Sequence, residues 1–310
     1  MEMPKIALGA WAWGNDGTFG GKQDENVLKE VFDTAMANGL CLWDTAYAYG
    51  AGQSEKVLGR FVKGLPRGSF MISDKLTPQV MDASSQTPVK DMLDMQLSLM
   101  GLERFDIYWI HNTSGAPEWT RKLAEFFEGK EDAPLIGVSN HNLSEIKEAD
   151  KVLREHGLKL SAVQNHYSLI NRSSESSGIL KYCRENGMTF FSYMVLEQGA
   201  LSGKYDSSHP MPEGSARAKT YNPLMDKLEV INAELSKIAA KHGVITAQIP
   251  VAWAIAKGTL PIIGVTGKKQ VEDAVKAMNV KLSDDEIGTI EDTAERQGID
   301  AIRFWEKEMR

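Results

Sequence analysis

Four side chains of this sequence, Asp44, Tyr49, Lys75 and His111, are of the types needed to deliver a proton to a carbonyl oxygen. Hydride addition to a carbonyl makes an alkoxide, which requires a nearby proton donor. A tyrosine is a weak donor near neutrality because its unperturbed pKa is about 10. Lys75 beside the Tyr49 hydroxyl is expected to favour the phenolate and lower that pKa, while Asp44 keeps the lysine charged and oriented. His111 is expected to hydrogen-bond the substrate oxygen and fix its orientation. Taken alone, an aspartate and a lysine read as a structural ion pair, and one histidine as a satisfied core residue. What decides between these readings is whether the chain brings the four together.

The elements that position them repeat along the chain: a short apolar run ends abruptly in polar residues, and a segment with helical periodicity follows. Leu40-Cys41-Leu42-Trp43 meets Asp44, Phe70-Met71-Ile72 meets Ser73-Asp74-Lys75, and Ile107-Tyr108-Trp109-Ile110 meets His111. Leu135-Ile136-Gly137-Val138 precedes Ser139-Asn140, and Ala162-Val163 precedes Gln164. With Lys5-Ile6-Ala7-Leu8, Phe190-Phe191-Ser192-Tyr193 and Leu260-Pro261-Ile262-Ile263, eight strands are predicted. Asp44 to Lys75 spans 31 positions, Lys75 to His111 36, His111 to Ser139 28, Ser139 to Gln164 25 and Gln164 to Tyr193 29. Each interval has room for one helix, and strand-helix alternation implies parallel strands joined by right-handed crossovers. Residues 26–38, 54–62, 89–102, 143–155 and 224–242 read as amphipathic helices, with Gly39, Gly101 and Gly157 as stops. Residues 283–310 read as a C-terminal helical segment. The gap from 193 to 264 is longer, and its stretch of residues 200–223, rich in Gly, Pro and Ser, is expected to be a surface loop that closes over a ligand.

An open doubly wound sheet would carry a glycine fingerprint. Gly50-Ala51-Gly52 opens a helix after a strand, but Glu55 stands at the third fingerprint position. Gly264-Val265-Thr266-Gly267-Lys268-Lys269 has the wrong spacing for a phosphate loop. The expected fold is therefore α/β, a single (β/α)8 barrel over residues 1–310. In such a barrel the C-terminal ends of the strands share one pocket. Asp44, Lys75, His111, Asn140, Gln164 and Tyr193 should converge there, with Tyr49 on the loop after Asp44.

Composition excludes several classes. With 35 basic and 42 acidic residues and a net charge of -7, no basic patch is evident that would neutralise a phosphate backbone, so nucleic acid is not an expected partner. No apolar run approaches about 18 residues and no basic n-region precedes one, so a cytoplasmic, soluble protein without membrane contact is expected. Cys41 and Cys183 are too few for a disulfide framework. His141, His156, His166, His209 and His242 lack ligand spacing, and no metal is expected.

Asp44-Thr45-Ala46-Tyr47-Ala48-Tyr49-Gly50 resembles the DTAxxYG signature of the aldo-keto reductases. Ile72-Ser73-Asp74-Lys75 and Phe105-Asp106-Ile107-Tyr108-Trp109-Ile110-His111 are similar to the strands that deliver the family's lysine and histidine. Ile136-Gly137-Val138-Ser139-Asn140, Val163-Gln164-Asn165-His166-Tyr167, Gly199-Ala200-Leu201-Ser202-Gly203-Lys204-Tyr205 and Ile263-Gly264-Val265-Thr266 resemble its cofactor-contacting segments. The likeness, which includes the branch of the potassium-channel β subunits, runs from about Ile6 to about Ile290.

The resemblance implies an NADPH-dependent oxidoreductase acting on an aldehyde, a ketone or the corresponding alcohol, with Tyr49 as proton donor and Lys75, Asp44 and His111 in support. It implies that Ser139, Asn140 and Gln164 hold the nicotinamide carboxamide and that Tyr193 stacks on the ring. Met194, Leu196, Gln198, Gly199 and Leu201 would line the pyrophosphate, with Gly203, Lys204 and Arg217. Ribose and adenine would lie near Gly264, Thr266, Lys268, Gln270 and Asp273. Trp11 joins the cofactor set. Trp13 is expected as a wall of the substrate pocket beside Tyr49 and His111, and Trp43 as core.

The sequence departs from the family where relatives place an asparagine and an arginine to grip adenine and the 2′-phosphate: this chain offers Ala274 and Gln270. Lys268 and Lys269 are expected to supply the charge without arginine's bidentate fork, which leaves NADH open as a second cofactor. Two other functions stay open: a nicotinamide-binding regulatory subunit with little turnover, against which the barrel begins almost at once, and a barrel isomerase or lyase in which Lys75 forms a Schiff base. Specificity is expected to lie in loops around Trp13, Trp43 and residues 112–119 and in residues 302–310. The substrate and the oligomeric state are not readable from the sequence.

Overall fold

The computed structural model describes residues 2–19, 21–82 and 84–299, with Lys307 and Met309. Eight parallel strands close into a barrel in sequence order, β1 (Ala7–Gly9), β2 (Leu42–Asp44), β3 (Met71–Leu76), β4 (Ile107–Ile110), β5 (Leu135–Ser139), β6 (Leu160–His166), β7 (Thr189–Tyr193) and β8 (Leu260–Gly264), the last pairing with β1. The single barrel read from the sequence is the observed fold. Around it lie α1 (Glu25–Ala37), α2 (Gln53–Val62), α3 (Pro88–Met100), α4 (Ala116–Phe127), α5 (Leu143–Glu155) and the short α6 (Ser173–Ser176). The chain continues through α7 (Ile179–Glu185), α8 (Ala216–Tyr221), α9 (Met225–His242), α10 (Gln248–Ala256), α11 (Lys268–Ala277) and α12 (Asp284–Gln297).

Local chemistry sets the helix ends. Asp24 caps α1 by accepting from the Asn26 N–H, and Asn142 with Glu145 forms a capping box at α5. Gly39, Gly101 and Gly157, expected as stops, all have positive φ just past helix ends.

Strand alternation divides the core into two layers. Ala7, Leu42, Met71, Ile107, Trp109, Ala162, Phe191 and Leu260 form a cluster inside the barrel, while Trp43, Ile72, Tyr108 and Val163 pack outward against the helices. A Cβ on Gly137 would sit 2.2 Å from the Trp109 ring, so glycine is what admits this indole to the lumen. Trp109 Nε1 donates to Ser73 Oγ at 2.6 Å, and Ser73 Oγ donates to Asp44 Oδ2 at 2.8 Å, so the packing reaches the floor of the polar site. The Gly137→Ala variant is expected to lose about 1–3 kcal/mol of stability through overpacking, read as a lower urea midpoint with unchanged slope.

Three readings need correction. Residues 200–223 are not all loop, because Ser215 caps a short helix, α8, by accepting from the Ala218 N–H. Residues 112–119, expected as a specificity loop, run into α4: Gly115 turns the chain with φ +61, Ala116 and Pro117 open the helix, and Trp119 is buried on its inner face. Of residues 283–310, Asp284–Gln297 is helical, and most of 302–310, expected to bear on specificity, lies outside the described residues. Among the described residues no helix is long and apolar enough to cross a membrane.

Candidate active site

Period-two alternation puts Asp44 at the C-terminal end of β2 and Lys75 near that of β3 on the same inward face as Ser73. Both are buried, Lys75 with no exposure at all. Lys75 Nζ donates to Asp44 Oδ1 at 2.6 Å, to the Thr45 carbonyl at 2.7 Å and to the Tyr49 hydroxyl at 3.3 Å. Gln164 Nε2, from β6, donates to Asp44 Oδ2 at 3.0 Å. Two carboxylate oxygens thus meet an ammonium, a hydroxyl and an amide, which leaves no part of the buried charge unmatched.

The Tyr49 loop is held by close backbone approach. Gly50 has φ +68, and a Cβ there would lie 2.0 Å from the Gly14 carbonyl oxygen, so only glycine fits. Thr45 Oγ1 donates to Ser54 Oγ, which donates to the Ala10 carbonyl, both at 2.8 Å, tying the loop to α2 and β1. Trp11 stacks on the Tyr49 ring with centroids 5.5 Å apart, and the His111 ring meets its edge at 6.1 Å. His111 Nδ1 is 2.9 Å from Thr77 Oγ1, so Nε2 is the ring nitrogen left for a ligand.

Electrostatics sharpen these roles. Burial alone would pull the Lys75 ammonium down, but the charges and hydrogen bonds of Asp44 and Tyr49 outweigh it and push its pKa up to about 12. For Tyr49 the expected lowering by Lys75 is present yet smaller than the effect of burial, and the phenol ends above its ordinary value. The sequence reading is corrected in sign: Tyr49 is held protonated. Burial, and then the Lys75 charge, lower His111 to about 3, so its imidazole is neutral at pH 7.

Asn140 and Tyr193 extend the cluster, the Tyr193 hydroxyl donating to Asn140 Oδ1 at 2.5 Å and Asn140 Nδ2 donating to the His111 carbonyl and Ser139 Oγ, each at 3.2 Å. The half-buried Tyr193 ring stacks on His166 at 5.6 Å. Ser139, Asn140, Gln164 and Tyr193 are therefore brought together with the four expected catalytic groups.

The residues assigned to pyrophosphate follow β7 on one segment. Met194 and Gln198 have φ of +62 and +53, unusual for side-chain-bearing residues. Leu196 and Gly199 are half-buried, and Leu201 is wholly buried and offers a ligand only its backbone. Gly203 packs on Thr246, and Lys204 and Arg217 flank Tyr205, their cationic groups 5.3 and 5.4 Å from its ring centre. Arg217 Nη1 donates to the Gln198 carbonyl at 3.3 Å, while its buried Nε has no partner among the described residues.

After β8, Gly264 is exposed, and Gln270 Oε1 accepts from the Thr266 and Gly267 N–H groups at 2.6 and 2.9 Å. Asp273 accepts from Gln248 at 2.9 Å with Lys269 at 3.4 Å, and Lys268 lies 3.9 Å from Glu30.

One expectation fails outright: Trp13 has no exposure, donates Nε1 to the Val265 carbonyl at 2.7 Å and packs on Trp43, so it is core and Trp11 flanks Tyr49 in its place. Sequence reasoning missed Ser73, on the inward face of β3, and Thr77, the first residue past the strand, although both lie at two-residue steps from Lys75, a period that points to them. It also missed Glu197, which is wholly buried, accepts from His166 at 2.5 Å and from Ser168 and Tyr221, and fastens α8 to the segment after β7. A glutamate in a polar loop carries no signal of burial.

Comparison with known proteins places these residues in a wider setting. Residues 5–295 match the model of the aldo/keto reductase family. The chain is similar to the chloroplastic pyridoxal reductase of Arabidopsis thaliana, 31% identical over 92% of this chain and 82% of that protein. It is also similar to the aldo-keto reductase yakc [NADP(+)] of Schizosaccharomyces pombe, 28% identical over 92% and 87%, and to the NADH-specific methylglyoxal reductase of Escherichia coli, 27% identical over 95% and 96%. The solved glycerol dehydrogenase AKR11B4 of Gluconobacter oxydans superposes with a TM-score of 0.80 at 23% identity, covering 98% of this chain and 96% of that one.

Proposed function

Because this chain belongs to the aldo/keto reductase family, we propose that it reduces an aldehyde or ketone with NADPH, Tyr49 giving the proton, and oxidises the alcohol in the reverse direction. The observation that carries this reading is the Tyr49 hydroxyl held 3.3 Å from the buried Lys75 ammonium, beside a neutral His111.

The residues after β7 fit a dinucleotide. A buried Arg217 Nε without a partner among the described residues, the Lys204 ammonium and a backbone turned through left-handed residues suit a pyrophosphate, and Ser139, Asn140 and Gln164 suit a carboxamide. When bound, the reduced nicotinamide supplies the hydride. Tyr49 gives its proton to the carbonyl oxygen; Lys75 stabilises the phenolate left behind; Asp44 keeps Lys75 charged; His111 Nε2 orients the oxygen. NADPH is the cofactor of this reading, and NADH is a second one, because the Gln270 carbonyl is engaged within its own helix start and both lysines lie beside carboxylates. A Schiff-base reaction needs a neutral lysine amine, and Lys75 at about 12 is disfavoured for it.

Fluorescence titration with NADPH and NADH, followed by multiple-turnover assays on a panel of aldehydes and ketones, tests the proposal. Binding with many turnovers supports it; binding without turnover favours a regulatory subunit; no binding of either nucleotide removes it.

The pH dependence follows from the same groups. Reduction needs Tyr49 protonated and His111 neutral. With His111 at about 3 and Tyr49 raised above its ordinary range by burial, kcat/KM for reduction is expected to stay level from about pH 5 to 8 and to fall only on the alkaline side of the ordinary tyrosine pKa of about 10. A limb near the ordinary histidine pKa of about 6.5 would contradict this assignment.

A further inference from the structure

Behind the strand that carries Lys75 lies a second acidic group that the proposed reaction does not use. Asp74 points away from the lumen, toward the helices, where Glu55 of α2, Gln96 of α3 and Tyr108 of β4 surround it, and all four are without solvent exposure. The Tyr108 hydroxyl donates to Gln96 Oε1 at 2.6 Å, which sets the direction of the amide. Gln96 Nε2 then faces Glu55 Oε1 at 3.0 Å, Asp74 Oδ1 at 3.1 Å and the Lys75 carbonyl at 3.1 Å. Asp74 Oδ1 also accepts the Lys75 backbone N–H at 2.8 Å. The other two oxygens, Glu55 Oε2 and Asp74 Oδ2, are buried with no donor among the described residues, while both carboxyl groups converge on the one Gln96 amide nitrogen. Two buried carboxyl groups so close cannot both stay charged, and one proton kept by the pair supplies a missing donor.

We propose that Glu55 and Asp74 share one proton and act as positioning residues for Lys75, Asp74 gripping its backbone N–H and both carboxyls holding the Gln96 amide that grips its carbonyl, and that they place a single negative charge behind the Lys75–Tyr49 pair. Burial, and for Asp74 then the nearby Glu55, raise both carboxyl groups above their ordinary range, in keeping with a proton retained at neutral pH. The groups facing the pair are Lys56 on α2, Lys75 on β3 and the phenol of Tyr108 on β4, while α3 presents the neutral Gln96. Lys75 therefore sits between Asp44 in front and this charge behind. The charge also bears on the proposed donor, since Asp74 is among the groups that raise Tyr49. The role in catalysis rests on the reductase reading; the shared proton and its effect on Tyr49 do not.

The experiment compares the full chain with its Glu55→Gln/Asp74→Asn double variant, which keeps the shape and removes the charge, without cofactor or substrate. Difference infrared spectroscopy at pH 7 is expected to show the carbonyl stretch of a protonated carboxyl in the wild type and none in the variant. NMR titration of ring-labelled tyrosine, with the Tyr49 signal assigned by Tyr49→Phe, is expected to place Tyr49 ionisation about half to one pH unit lower in the variant, the size of one removed charge at an effective dielectric of about 20. A missing band overturns the shared proton; an unmoved Tyr49 midpoint in a folded variant reduces the cluster to plain packing and overturns the electrostatic role. Should the double variant not fold, Asp74→Asn alone decides both points: the charge that remains moves onto Glu55, so the band should vanish, and Tyr49, which Asp74 is among the groups to raise, should shift the same way by a smaller amount. Neither readout uses turnover, so failure of the reductase reading would appear only in the carbonyl assays.

Discussion

Tyr49→Phe is expected to lower kcat for carbonyl reduction by about a hundred- to ten-thousand-fold, the usual worth of a positioned general acid, while the Kd for NADPH changes little. The phenyl ring can keep the Trp11 stacking at 5.5 Å and the contact with His111, and only the hydroxyl that faces Lys75 at 3.3 Å is lost. Because the removed group acts on the transition state, KM should move far less than kcat. Parallel losses in cofactor affinity and rate would show that the loop had collapsed, and would count against Tyr49 as the donor.

Lys75→Met is expected to cost both function and stability. It leaves the Asp44 carboxylate, 4% exposed at its side chain, without the ammonium that meets Oδ1 at 2.6 Å. Breaking a buried ion pair by removing one partner costs about 3–5 kcal/mol. Ser73 and Gln164 still donate to Oδ2, which places the loss toward the lower end. Urea denaturation measures it. Adding Asp44→Asn should recover part of the stability, since the uncompensated charge is gone, but none of the activity, since Tyr49 still lacks its ammonium. Recovery of turnover in the double variant would mean that Lys75 matters only as a structural partner of Asp44.

The barrel was legible because β2 to β6 each end in a sharp change from apolar to polar residues, and the polar residue marks the C-terminal rim. The same feature located Asp44, Lys75 and His111. Helices with one apolar face, such as α1 and α5, were readable to within a residue or so. α10 was not, because Gln248 through Ala254 are all buried and a helix without a polar face shows no 3.6-residue period. α4 was hidden by the Gly115 and Pro117 pair, which reads as a turn until the inner face formed by Trp119, Leu123 and Phe127 is seen to repeat every four residues.

Within the site, motif order identified the residues but not their electrical state. The effect of Lys75 on Tyr49 was predictable in sign, whereas the opposing effect of burial depends on how tightly Trp11, His111 and the Gly14–Gly50 contact close around the phenol, which spacing does not encode. The exchange of Trp11 for Trp13 has a similar origin: in Trp11-Ala12-Trp13-Gly14 two identical side chains lie two residues apart, and only the turn geometry decides which enters the core.

The most direct test of the account follows the hydride. NADPH carrying deuterium at C4 of the nicotinamide would be incubated with this protein and an aldehyde substrate from the active panel, and the alcohol examined by mass spectrometry and NMR. The account predicts one deuterium on the former carbonyl carbon, from one face of the nicotinamide, and a rate of transfer that falls with Tyr49→Phe. An alcohol without deuterium, or nucleotide bound with no label transferred, would contradict it.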